Sequence, residues 1–199
     1  MSVIESVCVY CGASPGQNPA YVAAATELGS ALAAAGIRLV YGGGSLGLMG
    51  TVARAALRGG GQVTGIIPRF LVRQEVMLEG VDDLIVTTSM HERKQLMFER
   101  SDAFVALPGG IGTLEELVEM LTWLQLGQHE KPVALANVEG FWDPLQALIG
   151  HMDHEGFLHR NVPLQLVEDV PEILPRLATM AAEIGNQAAS ADAPAFSNL

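Results

Sequence analysis

Short apolar runs alternate with longer amphipathic stretches from one end of the chain to the other. The runs at Ser6–Tyr10, Ile37–Tyr41, Gln62–Ile67, Leu84–Thr87, Ala103–Leu107 and Pro132–Ala136 read as strands, with a weaker one at Leu164–Val167. Between them, residues 19–35, 46–59, 90–101, 113–126, 142–153 and 171–184 carry helical patterning. Strands that are apolar on both faces need cover on both sides, so the pattern predicts a mostly parallel sheet with helices on both faces. Regular strand–helix alternation makes the expected fold an α/β, doubly wound, Rossmann-like domain. Residues 1–185 are expected to form this one catalytic domain. Residues 186–199, rich in Ala and Ser without periodicity, are expected to be a disordered tail.

Length and charge narrow the function classes. A chain of 199 residues can bury a full core. Its net charge of −11 argues against a nucleic-acid surface, which needs clustered Lys and Arg. No apolar run approaches the roughly 20 residues that span a bilayer. The N-terminus lacks the pattern of a secretory signal, so a cytoplasmic location is expected. Cys8 and Cys11 have the spacing of a redox pair or half a zinc site. Two further zinc ligands are not evident, and Cys8 falls inside a strand, so both are expected to be buried thiols with no metal.

In a parallel sheet, ligands bind beyond the carboxyl ends of the strands. Three glycine-rich loops fall there. They contribute Gly12 and Ser14 after the first strand, and Gly43, Gly44 and Met49 after the second. Gly109, Gly110, Ile111, Gly112 and Thr113 follow the fifth. Glycine allows close backbone approach, and the amides opening the next helix favour an anion, so a phosphate is the natural guest. None of the loops is a P-loop. Gly42-x-Gly44-x-x-Gly47 matches the dinucleotide spacing but follows the wrong strand, with no acidic residue at the required distance. A nicotinamide-dependent oxidoreductase is therefore the weakest alternative.

Two charged segments complete the set. Met90-His91-Glu92-Arg93-Lys94 opens a helix, where cations oppose the macrodipole; this suggests an anionic ligand or a carboxylate partner. Thr113-Leu114-Glu115-Glu116 reads as a capping box, with Thr113 as N-cap and Glu116 reaching back to it. Capping and catalysis compete for Glu116.

Cys-Val-Tyr-Cys-Gly-Ala-Ser at 8–14, Tyr-Gly-Gly-Gly-Ser-Leu-Gly-Leu-Met-Gly at 41–50, Met-His-Glu-Arg-Lys at 90–94 and Pro-Gly-Gly-Ile-Gly-Thr-Leu-Glu-Glu at 108–116 together resemble the LONELY GUY family. These are cytokinin-activating phosphoribohydrolases, long labelled possible lysine decarboxylases. The resemblance covers roughly residues 5–180. It implies hydrolysis of an N6-modified adenosine 5′-monophosphate, or AMP itself, to free base and ribose 5-phosphate, without a cofactor. It assigns Arg93 and Glu116 as the catalytic pair. Glu75, Lys94, Gly110 to Glu115 (Leu114 among them) and Thr122 would contact substrate. It also implies a homodimer. Ala13 and Ser89 depart from the usual family residues and leave substrate preference open. The decarboxylase label finds no Schiff-base lysine context at Lys94 or Lys131, the two lysines of the chain. A nucleotide-binding or molybdenum-cofactor carrier protein of related fold is the non-catalytic alternative.

Overall fold

The computed structural model describes residues 4–72, 78, 80–158 and 164–191. Seven strands form one sheet: β1 (Ser6–Tyr10), β2 (Arg38–Tyr41), β3 (Val63–Pro68), β4 (Asp83–Thr87), β5 (Ala103–Ala106), β6 (Val133–Ala136) and β7 (Gln165–Val167). The helices are α1 (Pro19–Ala34), α2 (Gly47–Arg58), α3 (Met90–Glu99), α4 (Ile111–Gln125), α5 (Asp143–His154) and α6 (Ile173–Ala191). The spatial order is β4-β3-β2-β1-β5-β6-β7, and every pairing is parallel. This is the expected α/β sheet with helices on both faces. The order reverses between β1 and β5, where Val7–Tyr10 run in register with Ala103–Ala106. A crevice opens at the carboxyl ends of two strands whose crossovers leave in opposite directions.

The period-2 alternation of β1 shows how the two layers divide. Val7 and Val9 join a core with α1, α2 and α6, through residues such as Leu28, Val52 and Ile173. Cys8 and Tyr10 point the other way, into a core with Met97 of α3 and Leu117 and Met120 of α4. Burying each such aliphatic side chain contributes about 1.5–3 kcal/mol relative to exposure. Phe104 stacks between Tyr10 and Phe98, with ring centroids 5.9 Å away on each side. α1 and α2 meet at Gly29, where any Cβ would overlap the Val52 carbonyl oxygen.

Two boundaries differ from the sequence expectation. α6 runs through Ala191, into the stretch from Asn186 expected to be a disordered tail. More consequentially, α4 begins at Ile111 instead of Thr113. No described helix is long and apolar enough to cross a membrane.

Candidate active site

At the β1/β5 switch point lies a cavity of about 260 Å³. Its floor is the end of β1, with Val9, Tyr10 and Cys11. Gly12, Gly42 and Met49 form one wall, Met90, Arg93 and Met97 of α3 another, and Gly110, Gly112, Thr113 and Glu116 of α4 a third. Leu71 closes the edge. The surroundings are largely apolar, so charge inside is poorly screened.

Arg93 and Glu116 are the charged residues of this lining, and both are buried. Arg93 Nη1 lies 3.5 Å from Glu116 Oε1. The same nitrogen donates to Met90 Sδ at 3.4 Å, while Arg93 Nε donates to the Ile66 carbonyl at 3.2 Å. A Cβ on Gly42 would overlap Arg93 Nη2, so the guanidinium rests directly on the backbone of the second glycine loop. α3 opens with Ser89, whose hydroxyl accepts from Glu92 N at 3.1 Å. Glu92 in turn accepts from Thr88 N at 2.7 Å and from the Thr88 hydroxyl. These bonds lower the pKa of its exposed carboxyl. Ser89 therefore caps α3, Glu92 ties back to Thr88, and Arg93, the next residue, is turned inward.

The capping box expected at Thr113–Glu116 is not formed. Gly110 is the N-cap of α4 and Leu114 N bonds Gly110 O at 3.0 Å, so Thr113 and Glu116 are already inside the helix. The reason is steric: only glycine at 109 lets the chain pass the Thr113 side chain, and the helix can start two residues earlier. Glu116, inside the first turns of the helix, thereby lines the cavity beside Arg93.

The first and third loops are stapled together, with Gly12 N donating to Pro108 O at 3.1 Å. Ser14 lies outside the cavity, on an adjoining crevice of about 410 Å³ shared with Gly109, Tyr21 and Phe141. The second loop behaves differently from the expectation. Gly43 and Gly44 are buried away from the cavity, and Gly43 takes φ 80°, packed on Ile67. The opening amides of α2, Leu48 N and Met49 N, both donate to Gly12 O, at 3.0 and 3.3 Å. These two amides bind protein and are not open to an anion. The first-turn amides of α4, at residues 111–113, have no intrahelical acceptors, and Gly112 and Thr113 line the cavity.

Lys94 turns to the outer side of α4. Its Nζ lies 2.5 Å from Glu115 Oε1 and 3.0 Å from Glu119 Oε1. Partial burial works against its charge, but the hydrogen bonds to the two glutamates outweigh this and raise its pKa. Thr122 is exposed and donates to Val118 O at 2.7 Å, so it, Glu115 and Lys94 stand beside the cavity and do not line it. Ile111 is exposed at the mouth and Leu114 half-buried behind it. Glu75 lies outside the described residues. Tyr10, Cys11, Gly42, Leu71, Met90 and Met97 line the cavity without having been singled out as site residues. Tyr10, Cys11, Gly42 and Met90 fall within the motifs quoted above, while Leu71 and Met97 carry no signal in local sequence.

Cys8 and Cys11 form no disulfide, and both are buried. Burial, followed by the nearby Glu116 charge, pushes the Cys8 thiol far up, which makes it unreactive. Neither lysine reaches the cavity: Lys131 Nζ bonds Phe98 O at 2.7 Å and lies over the Phe98 ring. Among the described residues no cluster of His, Cys, Asp or Glu could hold a metal ion.

Comparison with known proteins places this geometry. The family described as "Possible lysine decarboxylase" matches residues 49–177. A protein of Oryza sativa subsp. japonica named "Probable cytokinin riboside 5′-monophosphate phosphoribohydrolase" is 53% identical over 79% of this chain. The chain spans 64% of that relative's length. The rice protein named cytokinin riboside 5′-monophosphate phosphoribohydrolase LOG is 49% identical over 86% of this chain and 76% of its own. Among solved structures, the Moco carrier protein of Chlamydomonas reinhardtii superposes with a TM-score of 0.68 at 24% identity. That match covers 89% of this chain and 98% of the carrier. At that identity the likeness is one of fold.

Proposed function

The chain belongs to the LONELY GUY family of phosphoribohydrolases, and from that membership we propose that it hydrolyses the N-glycosidic bond of an adenosine 5′-monophosphate, N6-modified or plain. The products are the free base and ribose 5-phosphate. The observation that carries this reading is the buried Arg93–Glu116 pair in the switch-point cavity.

Cleavage of the C1′–N bond builds positive charge on the ribose. The Glu116 carboxylate stabilises that charge and orients the water whose oxygen bonds to C1′, while the base leaves with a proton. Arg93 holds Glu116 in place and favours its ionised form, as a neighbouring cation does. The 5′-phosphate rests on the amides at 111–113, where the dipole of α4 favours an anion. Lys94, Glu115 and Thr122, on the rim, contact the outer part of the substrate.

The protein works as a cytoplasmic homodimer in this reading. The outer side of α4 leaves Ile111, Val118 and Leu126 exposed, and α5 has no buried residue, so apolar surface is available for a second copy. The deciding experiment is a panel of nucleoside 5′-monophosphates and their nucleosides, scored for released base. Release from AMP or its N6-isopentenyl form, and not from the nucleosides, is expected. Equal release from the nucleosides would remove the phosphate site; no release from any nucleotide would return the chain to a binding or carrier role.

A further inference from the structure

We infer that Glu119 is a positioning residue for this hydrolysis: it anchors the Lys94 ammonium at the rim of the site, while Glu115 is the exchangeable partner. The inference rests on the hydrolytic reading for its kinetic part. Its structural part stands on the geometry of α3 and α4.

Consecutive residues on two helices make parallel ion pairs, Arg93 with Glu116 and Lys94 with Glu115 and Glu119. Glu115 and Glu119 are four residues apart on one face of α4, an arrangement that is repulsive unless a cation sits between them. The two carboxylates are not equivalent. The Glu119 side chain is 23% exposed and the Glu115 side chain 53%, while that of Lys94 is 14% exposed. Moreover, Glu119 Oε2 is occluded and has no hydrogen-bond partner among the described residues. An unsatisfied buried carboxylate oxygen is a cost that a bridge merely tying two helices would avoid, since a glutamine or an apolar contact would serve.

What Glu119 provides is a fixed point on the inner side of Lys94. An ammonium has three donors, and the two glutamates accept from two of them. Glu115 can rotate into water at little cost because it is more than half exposed. Its departure frees a second donor for substrate oxygens while Glu119 keeps the nitrogen in place. Without Glu119, the amine would follow Glu115 outward.

The two lysines of the sequence make the test clean. Acylation of the protein by an acid anhydride, followed by peptide mass spectrometry, gives separate rates for Lys94 and Lys131. Glu119→Gln should speed Lys94 labelling by about tenfold or more, the size expected for losing one charge-assisted hydrogen bond. KM for the nucleoside monophosphate should rise by a similar factor, about tenfold, with kcat within about threefold. Glu115→Gln should change Lys94 labelling by no more than about threefold, as an exposed pair would, and Glu119→Asp should recover part of the loss. Lys131, held separately by Phe98, is the internal standard. If its labelling also rises in Glu119→Gln, the fold has loosened, and Glu119→Asp then carries the comparison. Parental Lys94 labelling and KM in Glu119→Gln, or an equal effect of Glu115→Gln on Lys94 labelling, overturns the inference. If no nucleotide releases base, the hydrolytic reading falls, while the labelling rates still decide whether Glu119 holds Lys94.

Discussion

The Arg93 guanidinium lies against the bare backbone of Gly42, so closely that a single methyl group on that glycine would overlap Nη2. Gly42 has an ordinary backbone conformation, and the obstacle is the far end of a flexible side chain. Gly42→Ala should therefore fold with a modest fall in Tm, shifting Arg93 against Glu116 without removing it from the pair. A misplacement of about 1 Å near a reacting centre costs on the order of 10²-fold. The expected result is a fall in kcat/KM of that order; a parental kcat/KM would mean that Arg93 has slack in the site.

Glu116→Gln tests the carboxylate of the pair. Because Gly110 and not Thr113 caps α4, the change removes no helix cap. Base release should drop by about 10²–10⁴-fold, the usual range for a proton-transfer group, with Tm within a few degrees of the parent. Arg93→Ala should behave differently, since it leaves the buried Glu116 without its guanidinium. A loss of about 3–5 kcal/mol is expected for breaking a buried pair from one side, measured by urea unfolding. Equal stability of the two variants would contradict this account of the pair.

The third loop separates folding from binding within four residues. A Cβ on Gly110 or Gly112 meets nothing within 4 Å, and both residues line the cavity. Gly110→Ala and Gly112→Ala should unfold near the parental temperature but raise KM, because their methyl groups enter space meant for the phosphate. Gly109→Ala should lower Tm instead, since its Cβ would overlap the Thr113 side chain. Calorimetry alongside steady-state kinetics distinguishes the two outcomes.

His129 gives the fold an acid-sensitive point. Lys131 N donates to Nδ1 at 3.0 Å, so Nε2 carries the proton and donates to Met120 O at 3.0 Å. Burial lowers the pKa of this ring below 6.5, against the Met120 bond and with help from the Lys131 charge. The folded value lies below the unfolded one. Its stabilising contribution is therefore complete above pH 6.5 and lost as pH falls through the folded value. Thermal unfolding followed downward from neutral pH should show a loss of stability that His129→Asn flattens; parallel pH profiles would remove His129 from this role.

The strand–helix alternation was legible in the sequence because local hydrophobic period reports which faces of an element are covered. All seven strands fall within a residue or so of their expected positions, from Ser6–Tyr10 to Gln165–Val167. The loops after β1 and β5 were legible too, since glycine at 12 and at 109–112 marks close backbone approach. Arg93 stood out as a cation placed against the helix dipole.

What tertiary structure alone decided is which of these features meet. The reversal of strand order between β1 and β5 sets the first and third loops side by side, through Gly12 N and Pro108 O. The second loop had the most suggestive glycine spacing, yet its helix amides close on Gly12 O, a contact 36 residues or more distant along the chain. The local pattern of residues 113–116 favoured a capping box, whereas packing of Thr113 against Gly109 started the helix earlier and left Glu116 to face Arg93. Local sequence encodes propensity and periodicity; the partner of a carboxylate or an amide depends on contacts made across the sheet, which no window of a few residues contains.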